Sequence, residues 1–411
     1  MRFIFVNHCH PDTPHVCATR AREFAAALTA ASHQVVLLTA TLDGVPSVRA
    51  ANGLAERLAD HDWTQPFHLA CDPRPSLALD ILRSGRIPWP LRKVCTGGYY
   101  LAKGGMFTDW REGSRPIWPV LAKIFRPDAV WGVFGNTDAW IIARSIARIA
   151  NCPWVADVKD HWSTFIPALL RAPLARQFVD AADITAFSRS HVERLTPWFS
   201  QPMTVLYSGI SDSFLAPPQV TCPRDGFRLV LTGSLYEDSS LTAIIECVRA
   251  WVSRLTATER EEVSLVYAGA DSSRFDYASR PLVGLCRLEA HDFLPLAQWQ
   301  ALTLSAHANL YIKSAATYHH KLIELLSANR PILCFPGEEA EAREVAASVG
   351  GTLYSCADCA ALHAALDRVW NARHVPPPIA DRARMAAYSW ARQGKMLEAV
   401  LTNAKRKKVR P

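Results

Sequence analysis

The chain has 411 residues, of which 49% are apolar and 20% charged, and 45 basic against 38 acidic residues give a formal net charge of +7. This balance excludes a disordered or collagen-like chain, and no stretch reaches the ~18 consecutive apolar residues of a membrane-spanning helix. The N-terminus turns polar too soon for a signal peptide, and 11 scattered cysteines predict reduced thiols in an intracellular protein of two or three domains.

The first 40 residues read as a strand, a helix and a second strand. Residues 3–6 and 35–39 are continuous apolar runs that predict buried strands. Between them Ala21, Phe24 and Leu28 share one face of a helix. This order predicts a right-handed crossover within a parallel sheet.

The alternation continues to about residue 190. Residues 129–134, 154–156 and 184–187 are predicted strands, and Thr137 is predicted to cap the helix that follows the first of them. Residues 71–126 are rich in Pro, Gly, Trp and Arg. They are predicted as helices and long loops inserted in the first domain.

A second series of β/α units follows a proline-rich boundary at residues 216–218. Its predicted strands lie at residues 228–232, 263–267, 308–312 and 331–335, and a helix is predicted at residues 241–255. Three prolines then precede a helical stretch at residues 381–404. The predicted domains are therefore an N-terminal one over residues 1–215, a C-terminal one over residues 216–375, and a final segment over residues 376–411.

Parallel sheets bind ligands at the carboxyl ends of their strands, where helix N-termini point N–H groups at anions. Gly233 and Ser234 follow a predicted strand, and a small residue there lets the backbone approach a phosphate, although an ordinary turn is the alternative. Lys321 and Glu324 share a face where another helix begins. A lysine at this end of a helix favours an anionic neighbour such as a diphosphate. Glu324 could accept hydrogen bonds from ribose or sugar hydroxyls. The alternative is that Lys321 and Glu324 form an exposed ion pair.

A polar cluster follows the predicted strand at residues 154–156. It contains Asp157, Lys159, Asp160 and His161. We expect it to position an acceptor hydroxyl or to stabilise developing positive charge, with a surface turn as the alternative. Asn136, after the preceding strand, is expected to face the same place.

Two groups of Cys and His residues are candidates for a metal site by residue type. They are His8, Cys9, His10, His15 and Cys17 in the first loop, and Cys356 with Cys359. Neither has the second paired element of a structural zinc site, so no metal is predicted. The motifs of P-loop NTPases, dinucleotide dehydrogenases, α/β-hydrolases and zincins do not occur in the sequence.

Four segments resemble those of GT-B glycosyltransferases, of the large retaining group called family 4. They are residues 1–39, with HQVVLLT for the family's GHxVxVLT; residues 127–163, with PWVADVKDHWS for PWVADFRDPWS; residues 207–214, with YSGISDSF; and residues 321–333, with KLIELLSANRPIL for KLFEYLAAGRPIL. The resemblance implies two facing Rossmann-like parallel-sheet domains with an interdomain cleft and a closing helix that returns to the first domain. It also implies transfer of a sugar from a nucleoside-diphosphate sugar to a glycan or lipid-linked acceptor, in cell-surface polysaccharide or glycoconjugate synthesis, with no cofactor and no essential metal.

The resemblance assigns roles to residues by position. The implied catalytic residues are Asp160, Lys321 and Glu324. The implied donor-binding residues are Gly233, Ser234, Tyr318, His320, Lys321 and Glu324. The implied acceptor-side residues are His15, Asn136, Asp157, Lys159 and His161.

The chain also departs from the family pattern. Residues 12–17 replace a Gly-Gly pair, residues 236–240 replace an Arg and a Lys, and Ala316 replaces the first glutamate of the usual pair. These losses remove phosphate contacts and leave two alternatives open. One is a GT-B protein that binds a nucleotide or a protein partner without transfer, and the other is a sugar-nucleotide epimerase.

The positive charge is concentrated at the C-terminus. Residues 405–411 hold five basic residues and no acid, which leaves 40 basic against 38 acidic residues in the rest of the chain. A nearly neutral body disfavours nucleic-acid binding. The basic tail predicts a weak hold on an anionic membrane surface by a cytoplasmic protein, and a solvated, disordered tail is the alternative.

Overall fold

The structure, a computed structural model, describes residues 1–13, 15–48, 51–160, 162, 166–216, 226–235, 237–313, 321–375 and 381–409. The chain divides into two compact units, one of Met1–Gly209 with the segment that starts at Trp390, and one of Ile210–Ser389. Each unit is built on one parallel sheet flanked by helices, which confirms the predicted class of two parallel-sheet α/β domains.

The first unit contains a seven-stranded parallel sheet in the order β3-β2-β1-β4-β5-β6-β7. Its strands are β1 (Arg2–Val6), β2 (Gln34–Ala40), β3 (Phe67–Cys71), β4 (Ala129–Val133), β5 (Trp154–Val158), β6 (Asp183–Ala186) and β7 (Met203–Val205). Its helices up to β7 are α1 (Val16–Ala30), α2 (Leu54–Ala59), α3 (Leu77–Arg83), α4 (Trp89–Lys103), α5 (Thr108–Ser114), α6 (Trp118–Val120), α7 (Thr137–Ala150), α8 (Ala168–Gln177) and α9 (Arg189–Leu195).

The continuous apolar runs are explained by burial on both faces of this sheet. Ile4 and Val6 of β1 pack into one core, and Phe3 and Phe5 pack into another on the opposite face. A strand that alternates between two cores has no polar face, so its sequence shows no alternation. The last helix of the chain completes the second of these cores.

The second unit contains a six-stranded parallel sheet in the order β10-β9-β8-β11-β12-β13. Its strands are β8 (Phe227–Thr232), β9 (Val263–Ala268), β10 (Arg287–His291), β11 (Ala308–Ile312), β12 (Ile332–Phe335) and β13 (Leu353–Ser355). Its helices are α10 (Asp212–Leu215), α11 (Asp238–Ser253), α12 (Ala257–Glu262), α13 (Ser272–Ala278), α14 (Leu296–Leu304), α15 (Lys321–Ser327), α16 (Ala340–Ser348), α17 (Cys359–Asn371) and α18 (Arg382–Met385).

Two local predictions were wrong. The cap of α7 is Asn136, whose side chain accepts a hydrogen bond from the Asp138 N–H at 3.1 Å, while the Thr137 hydroxyl donates to the Gly104 carbonyl at 2.6 Å. The thiols are not all reduced, because Cys247 of α11 and Cys359 of α17 form a disulfide. Packing of these two helices brings residues 112 positions apart to a Cα separation of 5.3 Å, which sequence spacing does not reveal.

The basic C-terminal segment is helical as far as it is described. Helix α19 (Trp390–Val409) packs on α1, and its Leu397 and Leu401 enter the second core of the first unit. Lys405 pairs with Asp128, and the Lys408 ammonium donates to the Cys152 carbonyl at 3.0 Å. The alternative of a disordered tail therefore fails up to residue 409, and two of the tail's lysines hold the helix to its own unit.

None of the helices in the described ranges has the length and apolar character that crossing a membrane requires.

Candidate functional site

In both sheets the strand order reverses at one position. The connections that follow the two strands at this position run toward opposite edges of the sheet. In the first sheet this switch lies between β1 and β4, and in the second it lies between β8 and β11. Ligands of open α/β sheets bind beside the carboxyl ends of the strands at this position. Asn136 follows β4, and Gly233 and Ser234 follow β8, so these three predicted residues lie after strands that border the two switches.

Lys321 and Gly233 form one structural feature of the second unit. Lys321 is the first residue of α15, and its ammonium group donates to the carbonyl of Thr232, the last residue of β8, at 2.5 Å. The side chain passes over Gly233 so closely that a Cβ atom there would lie 1.2 Å from the lysine Nζ. Gly233 also has a φ of 95°, which L side chains rarely adopt, so the backbone favours glycine here, and a Cβ atom would force the Lys321 ammonium to move.

The charge of Lys321 is poorly compensated. Burial lowers the pKa of its ammonium group to about 8, and the nearby carboxylate of Glu324 raises this pKa by less than burial lowers it. Backbone N–H groups at the start of α15 add positive potential on the same side. An anion bound here would raise this pKa and stabilise the charged form of the lysine.

The loop after β8 is held rigidly. The Tyr267 hydroxyl donates to the Gly233 carbonyl at 2.8 Å, and the Leu235 N–H donates to the Asp271 carboxylate at 2.9 Å. Ser234 lies between these anchors and is exposed. The loop thus presents Ser234 from a fixed backbone, which suits a site formed before its ligand arrives.

Two charged clusters of the second unit were not predicted from the sequence, and one of them lies beside this loop. The Arg274 guanidinium of α13 pairs with Asp238 at 2.6 Å and with Asp271 at 3.2 Å. The i,i+3 spacing of Arg274 and Asp271 was the available signal, but nothing in the sequence places Asp238, 36 positions away, against the same guanidinium.

The other missed cluster follows β11 and β12. The Lys313 ammonium lies 3.5 Å from the carboxylate of Glu339 and 3.9 Å from that of Glu338. The Tyr311 hydroxyl donates to Glu338 at 2.8 Å, and burial raises the pKa of the Glu338 carboxyl. Charged residues within four positions of the ends of two apolar strands were the signal for this cluster.

In the first unit Asp157 is part of a fully buried network. Arg20 of α1 binds its two carboxylate oxygens at 2.8 and 3.1 Å, and the Thr185 hydroxyl donates to it at 2.7 Å. Neither side chain of the Arg20–Asp157 pair is accessible to solvent. Because Asp157 has no surface to offer an acceptor, its predicted place on the acceptor side is not carried into the proposal below.

Lys159 and Asp160 are partly exposed, Asp160 more than Lys159. The Lys159 ammonium donates to Asp160 at 2.9 Å, and the Cys17 thiol donates to the other carboxylate oxygen at 3.6 Å. Burial lowers the pKa of Lys159, but its interactions with Cys17 and with the Asp160 carboxylate, to which it donates a hydrogen bond, outweigh burial and hold this pKa above its usual value. The Asp160 side chain is 31% exposed, so it can still accept a hydrogen bond from a hydroxyl group of a ligand.

His15 and Asn136 both serve as helix caps. The His15 Nδ1 accepts a hydrogen bond from the Cys17 N–H at 3.2 Å at the start of α1, and it lies 3.8 Å from the Cys9 sulfur. Through Cys17 the structure brings His15 together with Asp160. Asn136 caps α7 and is partly exposed.

Three predicted site residues, His161, Tyr318 and His320, lie outside the described residues. In the parts of the chain that the structure covers, His, Cys, Asp and Glu side chains do not gather in groups of three or more that could hold a metal ion. Metal independence stays a prediction.

The sequence matches no known protein family, and no curated protein matches it. Solved structures do match its fold over nearly the whole chain. HepE from Anabaena in complex with UDP-glucose has a TM-score of 0.61 and 11% identity, over 98% of this chain and 100% of HepE. Sucrose-phosphate synthase from Thermosynechococcus elongatus has a TM-score of 0.66 and 12% identity, over 99% of each chain.

A third match is a protein from Listeria monocytogenes assigned as a UDP-N-acetylglucosamine 2-epimerase, with a TM-score of 0.57 and 12% identity over 100% of this chain and 98% of that one. The chain therefore has the fold of the GT-B glycosyltransferases. At such low identity the likeness defines the fold, and one fold hosts different reactions, so the reaction must be argued from the site.

Proposed function

We propose that the protein is a glycosyltransferase that moves a sugar from a nucleoside-diphosphate sugar to a glycan or lipid-linked acceptor, in the synthesis of a cell-surface polysaccharide or glycoconjugate. The observation that carries this proposal is the Lys321 ammonium, buried over Gly233 at the switch of the second sheet with its pKa lowered to about 8. A diphosphate is an anion of the right charge for this place. The UDP-glucose complex of HepE, which has the same fold, supports it.

In this proposal each side chain has one task. Lys321 stabilises the negative charge on the departing diphosphate, and Glu324 accepts hydrogen bonds from ribose or sugar hydroxyls. Ser234 contacts the phosphates from the fixed loop. Asp160, oriented by Lys159, accepts a hydrogen bond from the hydroxyl group of the acceptor. Retention of configuration and independence from metal ions follow the resemblance to family 4 and form part of the proposal.

The test compares Lys321→Ala and Glu324→Ala with Lys395→Ala, which removes an exposed lysine of α19. A panel of nucleotide-sugars is first ranked by the rise in melting temperature, because a ligand that binds only the native state stabilises it. Sugar transfer from the best donor is then measured. We expect turnover to fall at least a hundredfold in both site variants, at about 1.4 kcal/mol per factor of ten, and to stay unchanged in the control. Full transfer by Lys321→Ala would refute the assignment.

A second candidate, a protein that binds a nucleotide without transfer, is favoured by one observation. Arg274, the cation beside the loop after β8, is already paired with Asp238 and Asp271. Calorimetry with nucleoside diphosphates, followed by transfer assays over many acceptors, separates the two candidates. Binding without any transfer supports the second one, and donor turnover without an acceptor indicates an epimerase.

A further inference from the structure

The strand β10 lies at one edge of the second sheet and pairs with β9 on its inner side. The Gly269 N–H donates to the His291 carbonyl at 3.1 Å, so the backbone groups of His291 point toward β9. Because these groups alternate in direction along a strand, those of Leu288 and Ala290 point away from β9. No other strand in the described part of the chain pairs with this outer side. β10 therefore presents an open row of hydrogen-bonding groups.

The side chains of β10 divide between two faces. Leu288 and Ala290 pack against the apolar core of the unit, whereas Arg287 and Glu289 lie on the opposite face. Arg287 is exposed and Glu289 is partly exposed. The edge strand thus carries a cation and an anion two positions apart, and neither forms an ion pair with any of the residues that the structure describes.

This spacing is self-complementary across a two-fold axis. If a second copy pairs antiparallel with β10 and the axis passes through Leu288, residues equally far before and after Leu288 face each other. Arg287 of each copy then lies opposite Glu289 of the other, and the outward backbone groups of Leu288 bond those of the other copy. An axis through Arg287 or Glu289 would set like charges against each other, and an axis through Ala290 would leave Arg287 without an acid. A slip by one residue would bring the core face of one copy against the charged face of the other.

Apolar side chains beyond both ends of the strand fit the same axis. Val283 precedes β10 and is 71% exposed, and Phe293 follows it and is 77% exposed. They lie equally far from Leu288, one before it and one after it. The axis that pairs the charges therefore brings Val283 of one copy toward Phe293 of the other, and burial of both would add to the stability of the pair.

We propose that the open edge of β10 is a dimerisation surface whose partner is a second copy of this chain, joined by antiparallel pairing about Leu288. The charge of the segment favours this partner. Residues 276–293 hold two basic and three acidic residues, so no excess of positive charge selects a nucleic acid or an anionic membrane. A short strand and its flanking side chains form a small interface, so the dimer should be weak and depend on protein concentration.

The test measures sedimentation equilibrium of the full chain over a range of protein concentrations. Two variants reverse one charge each, Arg287→Glu and Glu289→Arg, and each alone sets like charges opposite each other across the axis. Mixed in equal amounts, the two variants restore both ion pairs, because one chain carries acids and the other carries bases at positions 287 and 289. The matched control is Glu261→Arg, which makes the same change at an exposed position of α12 in the same unit. Circular dichroism checks that each variant is folded.

We expect the wild type and the control to form the same concentration-dependent dimer. Each charge-reversal variant alone should dimerise at least about tenfold more weakly, and the equal mixture should recover the dimer as a heterodimer. A wild type that stays monomeric, a dimer that neither variant weakens, or a mixture of folded variants that stays monomeric would overturn the proposal. No nucleotide-sugar takes part in the assay, so its result is independent of the proposed reaction.

Discussion

Arg20 of the first unit, which is fully buried, and Lys321 of the second, which is partly buried, both lie near the carboxyl ends of their sheets, but their partners differ. Arg20 binds both oxygens of Asp157 and lies within 6 Å of three aromatic rings. Lys321 donates to the backbone carbonyl of Thr232. A compensated pair stabilises the fold and leaves nothing for a ligand, whereas a cation held by a carbonyl keeps its charge available to an anion.

The two side chains are suited to these tasks by their chemistry. The planar guanidinium of Arg20 matches the Asp157 carboxylate in two parallel hydrogen bonds. The ammonium group of Lys321 is a point charge whose pKa responds to its surroundings, and burial lowers it to about 8. The difference predicts opposite consequences when each residue is changed.

The largest effect on stability is expected at Arg20. Arg20→Ala leaves the buried Asp157 carboxylate without its main partner, so the free energy of unfolding should fall by about 3–5 kcal/mol. Urea unfolding measures this loss. Arg22→Ala is the control, because Arg22 is exposed and pairs with its neighbour Glu23, and its removal should change stability by less than about 1 kcal/mol. Equal midpoints for the two variants would contradict the contrast drawn above.

A smaller effect, on ligand binding, is expected at Gly233. Gly233→Ala adds a methyl group on top of the Lys321 ammonium and should weaken binding of a nucleoside diphosphate by about ten- to a hundredfold, the value of one or two charge-assisted hydrogen bonds. Calorimetry measures the affinity. Gly284→Ala is the matched control, since Gly284 also has a positive φ, of 78°, but open space around it.

Both glycine variants incur the backbone cost of a positive φ. Loss of affinity confined to Gly233→Ala would show that the position of Lys321 matters. If the two variants bind equally well, Lys321 is not where the diphosphate binds.

The smallest effect is a pH dependence carried by Lys321. Its pKa is about 8 in the folded state and 10.5 in the reference state, so between these values the unfolded chain holds more protons. The free energy of unfolding should therefore rise with pH from about 8 to 10, by about 1–2 kcal/mol after allowance for solvent screening. Lys321→Met should lack this rise in parallel urea titrations. An identical profile in the variant would mean that Lys321 is charged normally.

The same group should link donor binding to protons. A bound diphosphate raises the pKa of Lys321, so binding above pH 8 takes up a proton and affinity falls by up to about tenfold per pH unit. Calorimetry in buffers of different ionisation enthalpy detects the uptake.

Much of the fold could be predicted from the sequence because its strands are continuous apolar runs. The runs at residues 3–6, 35–39 and 228–232 all lie within observed parallel strands. The strands Phe67–Cys71, Met203–Val205, Leu353–Ser355 and Arg287–His291 were not predicted. The latter two lie at the edges of the second sheet and are only partly buried, so the apolar pattern is weak there.

The site residues were predicted from residue type and position in the sequence. Whether each side chain is open to a ligand depends on the residues that pack against it in the fold. Asp157 and Asp160 are three positions apart in the polar segment that was predicted to follow one strand. Asp157 is fully buried against Arg20, whereas Asp160 is partly exposed. No spacing in the sequence relates Arg20 to Asp157, 137 residues away. The disulfide between Cys247 and Cys359 was missed for the same reason.

The amino-acid sequence by itself determined the two series of β/α units, the glycine at position 233 and the lysine at position 321, because local apolar patterns and residue chemistry are written in short stretches. The tertiary structure alone decided that these two residues touch, that Asp157 is closed to ligands, and that the basic tail is a docked helix while α4 stays exposed. These outcomes depend on which distant segments pack together, since packing determines the desolvation of a charge and the partners it meets.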